Sequence, residues 1–299
     1  MKLIKPEFQI IEPTGYTIDD IYKSIELAGR VSHRSEDKIT ETSAKDFVGR
    51  MLNMKHLATC EFGTIYLYID YHNPSFGKII DKYSNNEYSK CIINTVFPNK
   101  AYISSNYRVL IENNWLDDLK YLCKPTKYHH KRYTVKFICD RGILAEFTRH
   151  RKFSFMAESS RYCNYSKGKF NSELTFIIPC WMDIPEGSID LGNYDKTSAR
   201  YEDGSVYIID TKPPYVGVDF IRSLCEAEAY YLSIVRNGWK PEQARAVLPN
   251  ALKTELVMTG FISDWSHFFK LRCDSAAHPQ ARELAIPLKE EFIKRGYEI

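Results

Sequence analysis

Residues Tyr133–Tyr162 read YTVKFICDRGILAEFTRHRKFSFMAESSRY and join a predicted strand, a short helix and a polar motif. The first seven, Tyr133–Cys139, alternate in character and predict a strand. After Asp140, the apolar residues Ile143 and Phe147 are one helical turn apart and predict a short helix. A strand followed by a helix is a rigid support from which polar side chains can be presented.

The polar motif begins where this helix ends. Three basic residues, Arg149, His150 and Arg151, are followed by seven further residues and then by Ser159-Ser160-Arg161. Arginine presents a planar fork of donors that suits phosphate, and neighbouring hydroxyl and main-chain amide groups can bind the remaining oxygens. A solvated basic turn would explain the three cations alone, but it does not require the second cluster at a fixed distance. The motif therefore predicts an anion site.

The overall composition indicates that the predicted anion site is a local cluster of charge and not a property of the whole chain. The chain has 299 residues, of which 44% are hydrophobic and 26% charged, and its formal net charge is only +3. These values are typical of a soluble globular protein, and we expect a single domain over residues 1–299. A near-neutral balance disfavours a nucleic-acid-binding protein, although the basic stretches 127–136 and 149–152 leave that alternative open. Strongly salt-dependent affinity for DNA or RNA would identify it.

Cysteine usage predicts a reducing, cytoplasmic environment. The eight cysteines never form a CxxC pair, and no apolar run approaches the length of a membrane span or an export signal. Cys180 follows Pro179, as a nucleophilic thiol could, but no basic neighbour activates it and a structural role is favoured. Paired His129 and His130 lack accompanying metal ligands, so no metal site is predicted.

Periodicity and capping signals place the other elements. A strand is expected over Thr64–Tyr71, and polar, Tyr-rich or Gly-rich composition predicts surface insertions at 73–131 and 183–214, the second with a strand over Ser205–Ile209. Helices are expected at Ile18–Ala28 after the N-cap Thr17, Ser43–Asn53, Tyr107–Leu122, Gly217–Arg236, Leu252–Val257, Ser263–Cys273 and Pro279–Lys294.

An arginine continues an aromatic stripe in one late helix. Phe261, Trp265, Phe268 and Arg272 follow helical spacing, and a buried guanidinium requires an anionic or carbonyl partner. Arg272 therefore either extends to solvent or meets a ligand. Together with Glu146 and the pair Glu242 and Arg245, it suits a ligand that carries a phosphate, a hydrogen-bonding base and an aromatic body.

These motifs in combination resemble one enzyme family. Arg149-His150-Arg151, seven residues and Ser159 match the RHR-x7-S signature of the flavin-dependent thymidylate synthases. The resemblance extends to His56–Glu61, Ala244–Pro249 and Leu271–Asp274. It implies an α+β fold with a central mixed or antiparallel sheet flanked by helices.

The resemblance also implies a reaction and an assembly. The family's reaction is the reductive methylation of dUMP to dTMP, with methylenetetrahydrofolate as carbon donor and NADPH as reductant through bound FAD. The protein positions and polarises the reactants, whereas the cofactor carries the redox chemistry. A homotetramer with active sites at subunit interfaces is implied, with neither nucleic acid nor membrane as a partner.

Site residues carried over from the family fall into overlapping sets. Arg272 and Ser159 are the catalytic candidates: Arg272 would stabilise negative charge on the uracil ring, and Ser159 need not be a nucleophile. The residues implied for dUMP are Glu146, Phe147, Thr148, Arg149, Ala157, Glu158, Ser159, Ser160, Arg161, Arg245 and Arg272. Those implied for FAD are His56, Ala58, Arg149, His150, Arg151, Ala157, Phe261, Ser263 and His267.

The chain departs from the family pattern on the flavin side. Ala157 stands where a glutamate is common, Phe261 and Ser263 replace an Asn-x-Arg pair, and His267 replaces an asparagine. We expect His267 to take over from the missing amide donor. Two other enzyme classes remain open: a flavin-independent nucleotide hydrolase or transferase, which would be colourless, and a folate-only synthase, which would depend on Cys180.

Overall fold

The computed structural model describes residues 1–94, 99–170, 172–189, 198–210 and 214–299, and they form the expected α+β fold. The strands are β1 (Lys2–Ile4), β2 (Glu7–Ile11), β3 (Thr64–Asp70), β4 (Lys90–Asn94), β5 (Lys100–Asn106), β6 (Arg132–Asp140), β7 (Ser154–Ala157), β8 (Thr175–Ile177), β9 (Gly187–Ser188), β10 (Ser198–Arg200), β11 (Val206–Ile208) and β12 (Lys253–Phe261). The helices are α1 (Ile18–Val31), α2 (Ser43–Asn53), α3 (Phe76–Ser84), α4 (Tyr107–Glu112), α5 (Arg141–Phe147), α6 (Val216–Arg236), α7 (Pro241–Ala244), α8 (Ile262–Arg272) and α9 (Pro279–Lys294).

A four-stranded antiparallel sheet in the order β2-β6-β12-β7 supports the polar motif. In the middle of β12, Leu256 lies opposite Phe137 on one side and Ala157 on the other. Phe137 belongs to a core that also contains residues of α5, α8 and α9, among them Phe147, Trp265, Phe268 and Phe292. The predicted central sheet flanked by helices is confirmed.

The helix predicted at Leu252–Val257 is wrong, because these residues lead into and form β12. All nine residues of β12 are buried, so the strand lacks the alternation of a half-exposed one. A short apolar run does not distinguish a buried strand from a buried helix. The β-branched residues Thr254, Val257 and Thr259 favour the strand.

The segment 73–131 is more structured than its composition predicts. It contributes α3, β4, β5 and α4, and β5 pairs with β3 and β4 in a three-stranded sheet with its own buried core. The single helix predicted over Tyr107–Leu122 is divided into α4 and a 3₁₀ helix, Leu116–Tyr121. Asn114 between them has φ 58°, which interrupts a right-handed helix. That the segment is an insertion relative to other family members stays a prediction.

A third sheet, β8-β1-β9, packs with α6 around a separate apolar core that includes Phe176 and Tyr231. The predicted strand Ser205–Ile209 is confirmed as β11, which pairs with β10. Residues 190–197 and 211–213 of the predicted insertion 183–214 lie outside the described residues. Within the described ranges, no helix is long and apolar enough to cross a membrane.

Helix α1 joins the four-stranded sheet to the three-stranded one. Thr17 caps it as predicted, since its hydroxyl accepts from the Asp20 amide and its own amide donates to the Asp20 carboxylate. Ala28 and Val31 pack against Val257 of β12, while Ile21 and Ile25 enter the core of the three-stranded sheet. The C-terminal end of α1 therefore lies near β7, where the second half of the motif begins.

Candidate active site

Helix α5 places the first half of the motif. Its N-cap is Asp140, whose carboxylate accepts from the Ile143 amide at 2.7 Å. Its last residue, Phe147, is fully buried and packs against Phe137 and Phe268, with ring centroids 5.1 and 5.0 Å away. Phe147 therefore fixes the end of the helix in the core, and only its main chain is free to face a ligand. The next residue, Thr148, is exposed.

Arg272, from the end of α8, is held by two predicted site residues. Its Nε donates to Nε2 of His150 at 2.9 Å, its Nη1 to Oε2 of Glu146 at 2.5 Å, and its Nη2 to the Glu146 carbonyl at 2.6 Å. The side chain is only 13% exposed, so it does not extend into solvent. These bonds use three of the five guanidinium N–H groups and leave two for a ligand.

His150 is the buried member of the basic triplet. Its ring lies against Phe268, with centroids 5.1 Å apart, and 6.2 Å from that of His267. Because Arg272 donates to Nε2, that nitrogen carries no proton. Burial and the adjacent Arg272 cation lower the pKa of His150 to about 4. His150 is therefore a neutral acceptor near pH 7, and it orients Arg272.

The other basic residues of the motif are exposed. Arg149 is 75% exposed and lies 3.9 Å from Glu146, a distance that adds little at such a position. Arg151 and Lys152 are also exposed, and the described part of the chain places no carboxylate within 4.0 Å of either one. Two unpaired cations therefore stand next to the Arg272 cluster and are free to bind an anion.

The second half of the motif forms a tight turn at the end of α1. The Ser159 amide donates to the Ser32 carbonyl at 3.0 Å, and the Ser159 hydroxyl accepts from the Arg161 amide at 3.3 Å. Arg161 pairs with Glu242 at 3.2 Å on the surface. Arg245, also exposed, follows Glu242 by one turn, so the Arg161–Glu242 pair connects the two segments that carry the predicted phosphate-binding residues. Ser160 is buried.

Glu158 faces away from this surface and belongs to a buried ionic cluster. It accepts from Lys253 at 2.9 Å and from the Tyr165 hydroxyl at 3.1 Å. Glu255 binds the same lysine at 2.7 Å, and Arg34 reaches both carboxylates. Burial by itself would raise the pKa of Glu255, but the surrounding cations outweigh burial and hold it at about 2. The Glu158 side chain therefore anchors the turn that carries Ser159, and only its main chain can face a nucleotide.

The sequence analysis did not predict the cations of this cluster, Lys253 and Arg34, as site residues. The charged pair Lys253 and Glu255 within an otherwise apolar stretch was the signal that could have indicated it, because buried charges require partners.

Phe261 and Ser263, which depart from the family pattern on the predicted flavin side, contact a lysine from the three-stranded sheet. Nζ of Lys90, in β4, donates to Oγ of Ser263 at 2.6 Å and lies 4.5 Å from the centre of the Phe261 ring. Burial lowers the pKa of Lys90, with Asp264 opposing and Lys152 adding to the shift. The proximity of Lys152 connects this group to the basic triplet. His267 is exposed on the same helix as Ser263, beside His150.

The remaining predicted residues lie elsewhere on the chain. His56 and Ala58 are exposed at the start of the 3₁₀ helix Leu57–Phe62, where the His56 carbonyl accepts from the Thr59 hydroxyl at 2.9 Å. Ala157 ends β7 beside Leu256. Among the described contacts, none joins His56 or Ala58 to Arg272 or Ser263. Arg272, Glu146, His150 and His267 thus form one group, with Ser263 on the same helix, and no described hydrogen bond, ion pair or ring contact joins this group to the Ser159 turn.

Two alternative interpretations lose support in the structure. Cys180 is exposed, but partial desolvation and the neighbouring Glu283 raise its pKa, which disfavours the thiolate that a nucleophile requires. The basic stretch 127–136 does not form one continuous surface, because His129 is buried and Lys136 pairs with Glu255 at 2.5 Å. Among the described residues, no cluster of three or more His, Cys, Asp or Glu side chains could hold a metal ion.

Comparison with known proteins identifies similar sequences. Residues 100–295 match the family described as thymidylate synthase complementing protein. The chain is 25% identical over 161 residues to a flavin-dependent thymidylate synthase of Synechocystis sp., covering 54% of this chain and 66% of that protein. It is 27% identical over 157 residues to one of Pyrococcus furiosus, covering 52% of each. The alignments thus span about half to two thirds of these relatives.

A solved structure is similar over nearly the whole chain. This structure, of the UMP/dUMP methylase PolB from Streptomyces cacaoi bound with 5-Br dUMP, covers 98% of this chain and 93% of its own, with 17% identity and a TM-score of 0.43.

Proposed function

Because the chain belongs to the thymidylate synthase complementing protein family, we propose that it is a flavin-dependent thymidylate synthase. It methylates dUMP to dTMP, with methylenetetrahydrofolate as the one-carbon donor and NADPH as the reductant through FAD. The observation that carries this proposal is the Arg272 guanidinium, which Glu146 and His150 hold beside unpaired cations.

The Ser159 turn is the proposed binding place for the dUMP phosphate. The Arg161–Glu242 pair is exposed, and surface pairs of this kind contribute about 1 kcal/mol or less. A phosphate can therefore replace Glu242 as the partner of Arg161 at little cost. Hydroxyls of Ser159 and Ser160, and the exposed Arg245, supply further donors.

Arg272 acts on the uracil ring in this proposal. Electrostatic stabilisation is strongest when the donors are already oriented before charge develops. Glu146 and His150 provide that orientation, and two N–H groups of Arg272 remain for the ring. Main-chain groups of Phe147, Thr148, Ala157 and Glu158 and the side chain of Arg149 complete the proposed dUMP site. No covalent role is assigned to Ser159.

The residues on the flavin side fit an anionic dinucleotide. Arg149 and Arg151 are exposed cations, and Lys90 adds a positive charge at Ser263, where the family pattern has an arginine. His150 remains neutral, and His56, Ala58, Ala157, Phe261 and His267 are assigned to the flavin border. FAD, when bound, supplies the redox chemistry of the reaction. We propose that His267 makes the hydrogen bond to the flavin that the asparagine would make in the family pattern.

We also propose a homotetramer with active sites at subunit interfaces, which is the assembly that the family resemblance implies. All eight cysteines are free thiols, and on that basis we propose a cytoplasmic protein.

A visible absorption spectrum of the purified protein with added FAD tests the proposal, followed by anaerobic addition of NADPH and dUMP. We expect bound oxidised flavin that bleaches, and dTMP once methylenetetrahydrofolate is supplied. Cys180→Ala should retain dTMP formation, whereas a folate-only synthase would lose it. Protein that binds no flavin and forms no dTMP under these conditions overturns the proposal.

A further inference from the structure

A cavity of about 370 Å³ lies between the four-stranded sheet, α1 and the three-stranded sheet. Its volume is in the range of small-molecule sites. Residues from the start of β6, the end of β2 and one face of α1, from Ile21 to Ala28, line it. None of the dUMP or FAD residues assigned above lines this cavity. The proposed function therefore leaves the cavity unexplained.

Arg132 is the feature of this cavity that calls for a ligand. Its guanidinium is half-buried and donates from Nη1 to the Glu61 carbonyl at 3.0 Å and, more weakly, to the Thr64 hydroxyl at 3.5 Å. In the described part of the chain it has no carboxylate within 4.0 Å, because the Glu61 carboxylate pairs with Arg108 at 2.5 Å. A guanidinium at such a position is stabilised by an anionic partner.

The surroundings of Arg132 add positive charge. Lys124 and Lys131 line the same cavity and are exposed. The one lining carboxylate, Glu12, accepts from Arg295 at 2.6 Å and from the Tyr297 hydroxyl at 2.8 Å. Since Arg295 neutralises Glu12, the cavity favours an anion over a cation.

Aromatic side chains give the cavity flat apolar walls. Tyr16 and Tyr66 meet edge to face with centroids 6.0 Å apart, and Tyr133 stacks on Tyr297 at 4.0 Å. The Tyr66 hydroxyl accepts from the Arg132 amide at 2.9 Å, so the ring has a fixed orientation beside the cation. Fixed tyrosine rings suit a planar apolar ring, and the adjacent guanidinium suits a carboxylate attached to that ring.

We propose that this cavity is a binding site for a small planar aromatic carboxylate, whose carboxylate pairs with Arg132 and whose ring packs against Tyr16, Tyr66 and Tyr133. The residues assigned above to dUMP and FAD do not line this cavity, although Arg132 lies 5.6 Å from the centre of the Phe261 ring, which the proposed function assigns to the flavin border. The proposed binding site does not depend on the proposed function. Lys124 and Lys131 attract the anion to the opening of the cavity.

Calorimetric titration of the full chain with 2-naphthoate tests the site, with 2-naphthylmethylamine as a cationic probe of the same ring system. We expect saturable binding of the carboxylate only. Arg132→Gln should weaken that binding by about tenfold or more, since a charge-assisted hydrogen bond is lost. Lys127→Gln is the matched control, because Lys127 is exposed outside the cavity, and it should bind 2-naphthoate as the unaltered chain does.

Other measurements keep the test decisive. Should Arg132→Gln fail to fold, Tyr16→Leu and Lys131→Gln are expected to weaken binding instead, because they remove a wall and a charge. The affinity should persist with saturating FAD and dUMP present. Equal binding of the amine, unchanged binding in all three cavity variants, or displacement of 2-naphthoate by FAD or dUMP would each overturn the proposal.

Discussion

Lys90 and Ser263 are separated by 173 positions in the chain, yet Nζ of the lysine donates to the serine hydroxyl at 2.6 Å. The same ammonium lies 4.5 Å from the centre of the Phe261 ring. Phe261 and Ser263 are the residues that replace the Asn-x-Arg pair of the family pattern. We propose that this lysine from β4 supplies the positive charge that the family pattern predicts at the position of Ser263.

Removing this charge should weaken FAD binding. We expect Lys90→Gln to reduce the affinity for FAD by about 10- to 100-fold, because hydrogen bonds to charged groups contribute about 1.5–3 kcal/mol. Flavin fluorescence titration measures the change. Lys78→Gln, at an exposed position in α3, is the control and should bind FAD normally. Equal affinities in the two variants would show that Lys90 does not contact the flavin.

The fork geometry of Arg272 is expected to matter more than its charge. Arg272→Lys retains a cation but cannot bind Glu146 and His150 together while also contacting the uracil ring. Loss of an oriented donor lowers turnover by about 10²- to 10³-fold, and we expect a kcat decrease of that order with a smaller change in the KM for dUMP. Initial-rate measurements of dTMP formation provide both constants.

Lys270→Gln is the control for Arg272→Lys, because Lys270 is exposed on the same helix. It should leave kcat unchanged. A kcat for Arg272→Lys equal to that of the control would show that Arg272 takes no part in the reaction.

His150 makes stability depend on pH in a defined direction. The unfolded chain binds a proton at His150 near the ordinary pKa of about 6.5, whereas the folded chain does so at about 4. Between these values the unfolded state binds more protons, so stability is complete above pH 6.5 and declines as the pH falls towards 4. We expect His150→Gln, which keeps an acceptor for Arg272, to reduce this decline.

Melting temperatures from pH 7 to pH 4.5 test the expectation for His150. His72→Gln serves as the control, because its side chain is 73% exposed and should leave the pH profile unaltered. Parallel profiles for the His150 variant and the unaltered chain would contradict the assignment.

Local signals in the sequence predicted the parts of the fold that depend on neighbouring residues. Helix α2 was predicted to the residue, and so was the start of α1, because Thr17 caps it; however, α1 continues to Val31, three residues beyond its predicted end at Ala28. The strand β12 was missed because helices cover both of its faces: Leu256 and Met258 pack with residues of α5, α8 and α9, and Val257 packs against α1. Burial on both faces leaves no alternation in the sequence.

The same limit applies to the candidate site. Arg272, Glu146 and His150 could be proposed from motifs, and the structure places them in contact. Lys90 could not, because its position depends on how the three-stranded sheet lies against α8. Glu158 belongs to the motif, yet its side chain faces inward, since Lys253 and Arg34 draw the carboxylate into the protein. Whether a motif residue contacts its ligand through its side chain or its main chain is therefore decided by tertiary partners.

The buried ionic cluster should contribute strongly to stability. Lys253→Met removes a cation from between Glu158 and Glu255, which are 3% and 2% exposed. Loss of one partner of a buried pair costs about 3–5 kcal/mol, and Arg34 remains near both carboxylates, so we expect about 3 kcal/mol. Urea denaturation measures the change in the free energy of unfolding.

A second variant separates the ionic effect from a packing effect. Adding Glu158→Leu to Lys253→Met removes a buried carboxylate that has lost its lysine and keeps Arg34, at 3.4 Å, as its only described ion-pair partner. This should recover part of the lost stability, because replacing both partners of a buried pair by apolar groups is less costly than removing one. Lys45→Met, at an exposed position in α2, is the control and should change the free energy of unfolding by less than about 0.5 kcal/mol. If the double variant is no more stable than Lys253→Met alone, the loss of the Glu158–Lys253 pair is not the cause of the decrease in stability.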